Sequence, residues 1–192
     1  MTPKNIFRDN FASHIKTMEL ACEVLDKPVN AIGLLLAKSI ISGGTIFWCG
    51  NGGSAADSQH LAAELVGRFK NNRRALRSVA LTTDTSVLTC VANDYSYEDI
   101  FARQVEALAR AGDVLIAIST SGKSKNILHV LKTAKDMGLI TIALLGKDGG
   151  PAKYLADHAL IVPSDSTARI QETHILIGHI FCELIEQELG LA

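Results

Sequence analysis

DVLIAISTSGKSKNILHVLKTAKDMGLITIALLG, residues 113–146, decides the fold class. Its two ends, DVLIAIS (113–119) and LITIALLG (139–146), are short, nearly continuous apolar runs rich in β-branched residues. That is the character of strands buried on both faces. Residues 124–137 between them read as a helix, and a helix joining two such strands makes a parallel α/β sheet. The same rhythm extends in both directions. TIFWCG (45–50), SVAL (78–81) and HALIVP (158–163) supply three more strands, and helices are expected at 54–67, 97–110 and 168–189. The chain therefore reads as an α/β protein with a three-layer, doubly wound parallel sheet of five strands. Upstream, Phe7, Phe11, Ile15, Met18, Cys22 and Leu25 recur at spacings of three and four, one apolar stripe of a helix over about 5–25. Lys27-Pro28 is expected to end it, and a second helix over 29–41 to stop at Gly43-Gly44.

Composition narrows the function. At 192 residues the chain is near one domain on length alone. Hydrophobic residues make up 47%, charged residues 20%, and the formal net charge is −1, which points away from disorder and from general attraction to nucleic acid or membrane. A small ligand is the expected partner. Cys22, Cys49, Cys90 and Cys182 are widely spaced with no C-x-x-C pair, which fits reduced thiols in a cytoplasm. No apolar segment approaches the ~20 residues of a membrane span, so a soluble cytoplasmic protein is expected.

In open parallel sheets, ligands collect outside the carboxyl ends of the strands, where helix N-termini present unpaired N–H groups. Two strand-to-helix connections carry special residues. ISTSGKSKN (118–126) ends like a P-loop in Gly122-Lys123-Ser124, but a Walker A loop needs another glycine five residues before Gly122, and Ala117 stands there. What remains is a dense set of hydroxyls, Ser119, Thr120, Ser121 and Ser124, at a helix start. It suits a phosphate. CGNGGSAADSQH (49–60) places Asn51, Gly52 and Gly53 where backbone can approach a ligand closely, or where the chain merely turns. Beyond it, His60 and Glu64 are four apart and share a helix face: either a surface hydrogen-bonded pair, or two metal ligands, or an acid and a base. In the last helix, Gln171, Glu172, His174 and His179 interrupt an apolar stretch. Taken alone, His179 reads sooner as a satisfied core histidine than as a site residue. Asn93-Asp94-Tyr95, in an expected break between helices, suits sugar hydroxyls or an Asx turn. The basic run from Arg68 to Arg74 reads as a solvated connection.

Together CGNGGSAADSQHLAAELVGRF, ALTTDTSVL, the AND at 92–94, GDVLIAISTSGKS and TARIQETHILIGH resemble the phosphoheptose isomerase family of the SIS (sugar isomerase) fold. The resemblance runs from about residue 5 to 189, with several motifs in family order and spacing. It implies conversion of sedoheptulose 7-phosphate to D-glycero-D-manno-heptose 7-phosphate, the first step towards the heptose of lipopolysaccharide core. It also implies a SIS domain over 45–192, N-terminal helices over 1–44 used in oligomerisation, and a homotetramer with sites at subunit boundaries. Carried over by position, one Zn²⁺ per subunit falls to His60, Glu64, Gln171 and His179. Substrate contacts fall to Asn51, Gly52, Gly53, Glu64, Asn93, Asp94, Ser119, Thr120, Ser121, Ser124 and Gln171. Glu64 and His179 become the acid–base pair. One departure stands out, because some members carry Asp before the arginine of the ARIQE motif where this chain has Ala168.

Three rivals share the fold, one of them another sugar-phosphate isomerase, against which only the detailed motif match stands. DnaA initiator-associating proteins bind a replication initiator without catalysis, but they lack the Glu and late His that are present here as Glu64 and His179. SIS sugar-phosphate sensors are fused to a DNA-binding helix-turn-helix, which the sequence does not show. One geometric constraint accompanies the ligand set: Gln171 and His179 are eight apart, so on one straight helix they lie about 12 Å apart along the axis and ~80° apart around it. Either that helix is irregular at its start or a neighbouring subunit supplies some ligands.

Overall fold

The computed structural model describes residues 5–191. The elements run α1 (Ile6–Ile41), β1 (Ile46–Gly50), α2 (Gly53–Val66), β2 (Ser78–Ala80), α3 (Thr85–Asp94), α4 (Ala102–Leu108), β3 (Val114–Ser119), α5 (Lys125–Asp136), β4 (Ile140–Gly146), α6 (Ala152–Leu155), β5 (His158–Val162) and α7 (Thr167–Glu188). All five strands are parallel, in the order β2-β1-β3-β4-β5. The expected strands are all present, and the central ones are buried on both faces. Alternate strand residues feed two cores. Ile46, Trp48, Ile116 and Leu144 face α1, α2 and α7. Phe47, Leu115, Ala143 and Leu145 face the layer containing α3, α4, α5 and α6. Chain order reverses between β1 and β3, so the crevice beyond their carboxyl ends is the switch point where such sheets bind ligands.

Three expectations about helices need correction. α1 is one helix of 36 residues that contains Pro28 instead of ending there. Proline inside a helix costs roughly 3 kcal/mol, yet Ala21, Leu25, Val29, Ile32 and Leu36 are buried in one core on both sides of it. That continuous apolar face outweighs the break, and the carbonyl that Pro28 leaves without a donor belongs to the exposed Val24. Asn93 and Asp94 do not lie in a break between helices: they end α3, which Asp84 caps by accepting a 2.9 Å hydrogen bond from the Val87 N–H. The helix expected over 97–110 is shortened to α4. All four cysteines are free, with Cys49 and Cys182 buried, and among the described residues no helix is long and apolar enough to cross a membrane.

The upstream half of the α1 stripe does not reach the core. Ile6, Phe7, Phe11 and Ile15 are exposed, Phe7 by 76%.

His174 gives the fold a pH dependence. It is fully buried, its Nε2 donates to the Leu145 carbonyl at 2.9 Å, and among the described residues its Nδ1 has no partner. Burial pushes its pKa down to about 4, against the upward pull of the Leu145 bond. Between that value and the unfolded value near 6.5, the unfolded chain binds a proton that the folded chain refuses. Stability is therefore full above about pH 6.5 and falls as pH drops towards 4, by about 3 kcal/mol at one kcal-scale step per pKa unit. In thermal unfolding, His174→Gln is expected to lose much less between pH 7 and pH 4.5 than the parent protein does.

Candidate active site

The two switch-point loops face each other. At the end of β1, Asn51 exchanges two amide hydrogen bonds with Asn126 of α5, at 2.9 and 2.8 Å, and its Oδ1 also accepts from the Tyr97 hydroxyl at 3.0 Å. Gly52 has φ +57° and caps α2, a conformation that disfavours a side chain. A pocket of about 260 Å³ lies beside it, walled by Asn51, Ala55, Leu88, Thr89 and Tyr97. At the end of β3, Ser119 is buried and its Oγ accepts from the Gly122 N–H at 3.1 Å, while the Ser121 Oγ accepts from the Lys123 N–H at 3.3 Å. Ser124 is the N-cap of α5 and, among the described residues, makes no side-chain cap bond, which leaves its hydroxyl available at a helix N-terminus. Gly122, at φ +61°, packs so tightly against the Gly149 backbone that a methyl group would collide with it. Lys123 points away, to Asp148 at 3.6 Å.

Asn93 and Asp94 form the last turn of α3 and are exposed. Asn93 donates to Asp94 at 2.7 Å, and the Cys90 thiol reaches Asp94 at 3.5 Å.

A second centre lies on the seam of α2 and α7, which run side by side in the same direction. Gly53 sits against Gln171 at one end, and Leu61 fits against Gly178 further along. Beyond that point His60, Glu64 and His179 converge, each offering one donor atom within 4.8 Å of the others. The Nε2 atoms of the two histidines are 2.9 Å apart, and His60 Nε2 lies 3.3 Å from Glu64 Oε1. Burial holds the His179 imidazole below its ordinary pKa, with the His60 charge acting in the same direction and Glu64 opposing. Phe69 stacks on the His179 ring, with centroids 5.4 Å apart and planes 20° apart.

Gln171 is not gathered with this trio. α7 is a single helix from Thr167, with no irregular start, and Gln171 packs its amide on Gly53 at the crevice. Ala168 is exposed, and Arg169 beside it is held by Glu172 and by Asn10 of α1.

Four further residues come into play only in the fold. Asn126 and Tyr97 both engage Asn51, and only long-range pairing reveals them. Asp57, one turn before His60, has a buried Oδ2 without a partner; burial raises its pKa although His60 lowers it. Arg73 corrects the reading of 68–74 as solvated, because its side chain is 1% exposed and lies 2.7 Å from Glu186.

The SIS domain family matches residues 10–146. Phosphoheptose isomerase 1 of Campylobacter jejuni is 52% identical over 183 residues, 95% of this chain and 98% of that protein. Among solved structures, phosphoheptose isomerase from Neisseria gonorrhoeae superposes with a TM-score of 0.92 at 43% identity, covering 97% of this chain and 100% of that one. The phosphoheptose isomerase from Francisella tularensis gives 0.94 at 36% identity, with the same coverage.

Proposed function

This chain belongs to the phosphoheptose isomerase family of SIS-domain proteins, and on that premise we propose how its residues divide the work of a sugar-phosphate isomerase. It is an aldose–ketose isomerase that converts sedoheptulose 7-phosphate to D-glycero-D-manno-heptose 7-phosphate. The observation that carries the site assignment is the convergence of two imidazoles and one carboxylate on the α2–α7 seam.

Isomerisation moves one proton from C1 to C2 and another between their oxygens, through an enediol. Glu64 takes the C1 proton and returns a proton to C2, while His179 carries the proton that O1 loses and O2 gains. The phosphate is held far from these carbons, by Ser119, Thr120, Ser121, Ser124 and the N-terminus of α5. Its binding energy then orients the reacting end. Asn51, Gly52, Gly53, Asn93, Asp94 and Gln171 are assigned to the sugar hydroxyls. Lys123, turned to Asp148, is expected to be replaceable.

A donor set of two imidazole nitrogens and a carboxylate oxygen suits Zn²⁺ in its catalytic form, three protein ligands and an open position. His60, Glu64 and His179 would hold it, with Gln171 the fourth member implied by family. When bound, zinc supplies polarisation of the carbonyl and stabilisation of enediolate charge. The Nε2 of His179 can hold a proton or a metal but not both at once, so its two assigned roles exclude each other at any moment. Glu64 has a second oxygen for proton work beside the one directed at the cluster.

The separation of the crevice from the cluster supports sites at subunit boundaries, in the homotetramer that the family implies. Eleven residues separate Gly53 from Glu64, about 16 Å of helix. A seven-carbon chain has six C–C bonds of about 1.5 Å each, too short for that gap. The exposed apolar residues at the start of α1 need a cover, which a second copy provides.

The test is purified protein with sedoheptulose 7-phosphate, assayed before chelation, after it, and after Zn²⁺ is restored. Aldose formation is expected to fall at least tenfold on chelation and to return with zinc. Full activity after complete metal removal would refute the metal assignment, and absence of turnover throughout would refute the isomerase reading.

A further inference from the structure

The stretch from Arg68 to Arg74 joins α2 to the sheet, and its inner half is tied down by one buried ion pair. Arg73 and Glu186 are each 1% exposed at the side chain, with Arg73 Nε 2.7 Å from Glu186 Oε1. The rest of the guanidinium serves as a cap for α2. Its NH2 donates to the Glu64 carbonyl at 2.9 Å, and its NH1 donates to the Leu65 carbonyl at 2.9 Å and the Gly67 carbonyl at 3.3 Å. These belong to the last turn of α2 and its cap, where helix carbonyls lack intrahelical donors. A planar fork with five donors can meet several acceptors at once, which a lysine cannot.

The carboxylate works on the other side. Glu186 Oε1 accepts the Phe69 N–H at 3.1 Å and Oε2 accepts the Lys70 N–H at 3.2 Å, two successive backbone donors on one anion. This fixes the backbone at Phe69, whose ring lies on His179. His179 and Glu186 are seven apart on α7, two turns less about 20°, so they share one face of the helix. The loop is anchored at one level of α7 and presses its aromatic ring on the imidazole two turns earlier.

The ring matters because the second torsion of a histidine has broad, roughly two-fold wells, and only packing sets the plane of the imidazole. His60 meets His179 edge-on with the two Nε2 atoms 2.9 Å apart, and Phe69 covers one face of the ring nearly parallel. We propose that Arg73, Glu186 and Phe69 form a positioning unit for the isomerisation, in which the buried ion pair holds Phe69 against His179 and so keeps its Nε2 turned towards His60 and Glu64. The same guanidinium steadies the turn of α2 that carries Glu64. None of the three is assigned a substrate contact. The unit rests on the assignment of His179 to the site.

Steady-state kinetics on Phe69→Ala, Phe69→Leu and Phe69→Tyr test it, at a temperature where circular dichroism shows each variant folded. Phe69→Ala and Phe69→Leu are expected to lower kcat by about ten- to a hundredfold with KM within about twofold of the parent. Phe69→Tyr, which keeps the flat ring, is expected to restore kcat. Arg73→Lys keeps the charge and loses the fork; it is expected to lower kcat likewise, and Arg73→Lys combined with Phe69→Ala is expected to be no worse than the poorer single variant. Parental kcat in Phe69→Ala, full recovery in Phe69→Leu, or independent multiplication of the two losses would overturn the proposal. A parent protein without isomerase activity would instead overturn the reading of the site beneath it.

Discussion

Glu64→Gln is expected to lower kcat by about 10²- to 10⁴-fold, the range for removing a general base from a proton transfer, while the protein stays folded. The substitution is nearly isosteric. It removes the only carboxylate of the trio formed with His60 and His179, and an amide can neither take the C1 proton nor return one to C2. The fold does not depend on that charge: the last turn of α2 is held through the Glu64 backbone carbonyl by Arg73, not through its side chain. Thermal unfolding within a few degrees of the parent, alongside lost turnover, would place the effect in the chemistry. Comparable kcat in Glu64→Gln would remove Glu64 from its assigned role.

Hybrid complementation carries the second large effect. Ser124→Glu puts a negative side chain at the start of α5, where the phosphate is assigned, and should abolish turnover by repulsion. Glu64→Gln abolishes it at the seam. Unfolded together and refolded as a mixture, the two inactive proteins are expected to regain about a quarter of parental activity if each site combines the crevice of one subunit with the seam of another, since one pairing in four then unites two intact halves. If each chain completes its own site, mixing restores nothing. Dilution gives the same information by another route, because separated subunits should lose activity in the first case and keep it in the second.

The parallel sheet was legible in the sequence because strands buried on both faces leave continuous apolar runs, as in VLIAIS of β3 and ITIALLG of β4. The crevice was legible for a related reason: glycines and hydroxyls gather where a strand hands over to a helix, in 50–54 and 119–124. α1 was misjudged at Pro28 because a local rule met a tertiary force, the burial of Leu25, Val29 and Ile32 on one core. For α3 the start is marked by the Asp84 cap before Thr85, whereas Asn93-Asp94 looks like a break because both residues favour turns, and the helix nonetheless runs through them. Arg73 was hidden for a different reason. A run of basic residues looks solvated until the chain brings Glu186 to it from 113 positions away. The separation of Gln171 from His179 follows from helix geometry alone and is visible in the spacing; that α7 stays regular through both is what the structure adds.

The most direct test of Glu64 as the carbon base is nuclear magnetic resonance of sedoheptulose 7-phosphate turnover in deuterated water, run side by side on the parent protein and Glu64→Gln. The expected result is aldose 7-phosphate carrying carbon-bound deuterium at C2 with the parent, and neither product nor exchange at C1 or C2 with the variant. Exchange by Glu64→Gln at the parental rate would contradict it.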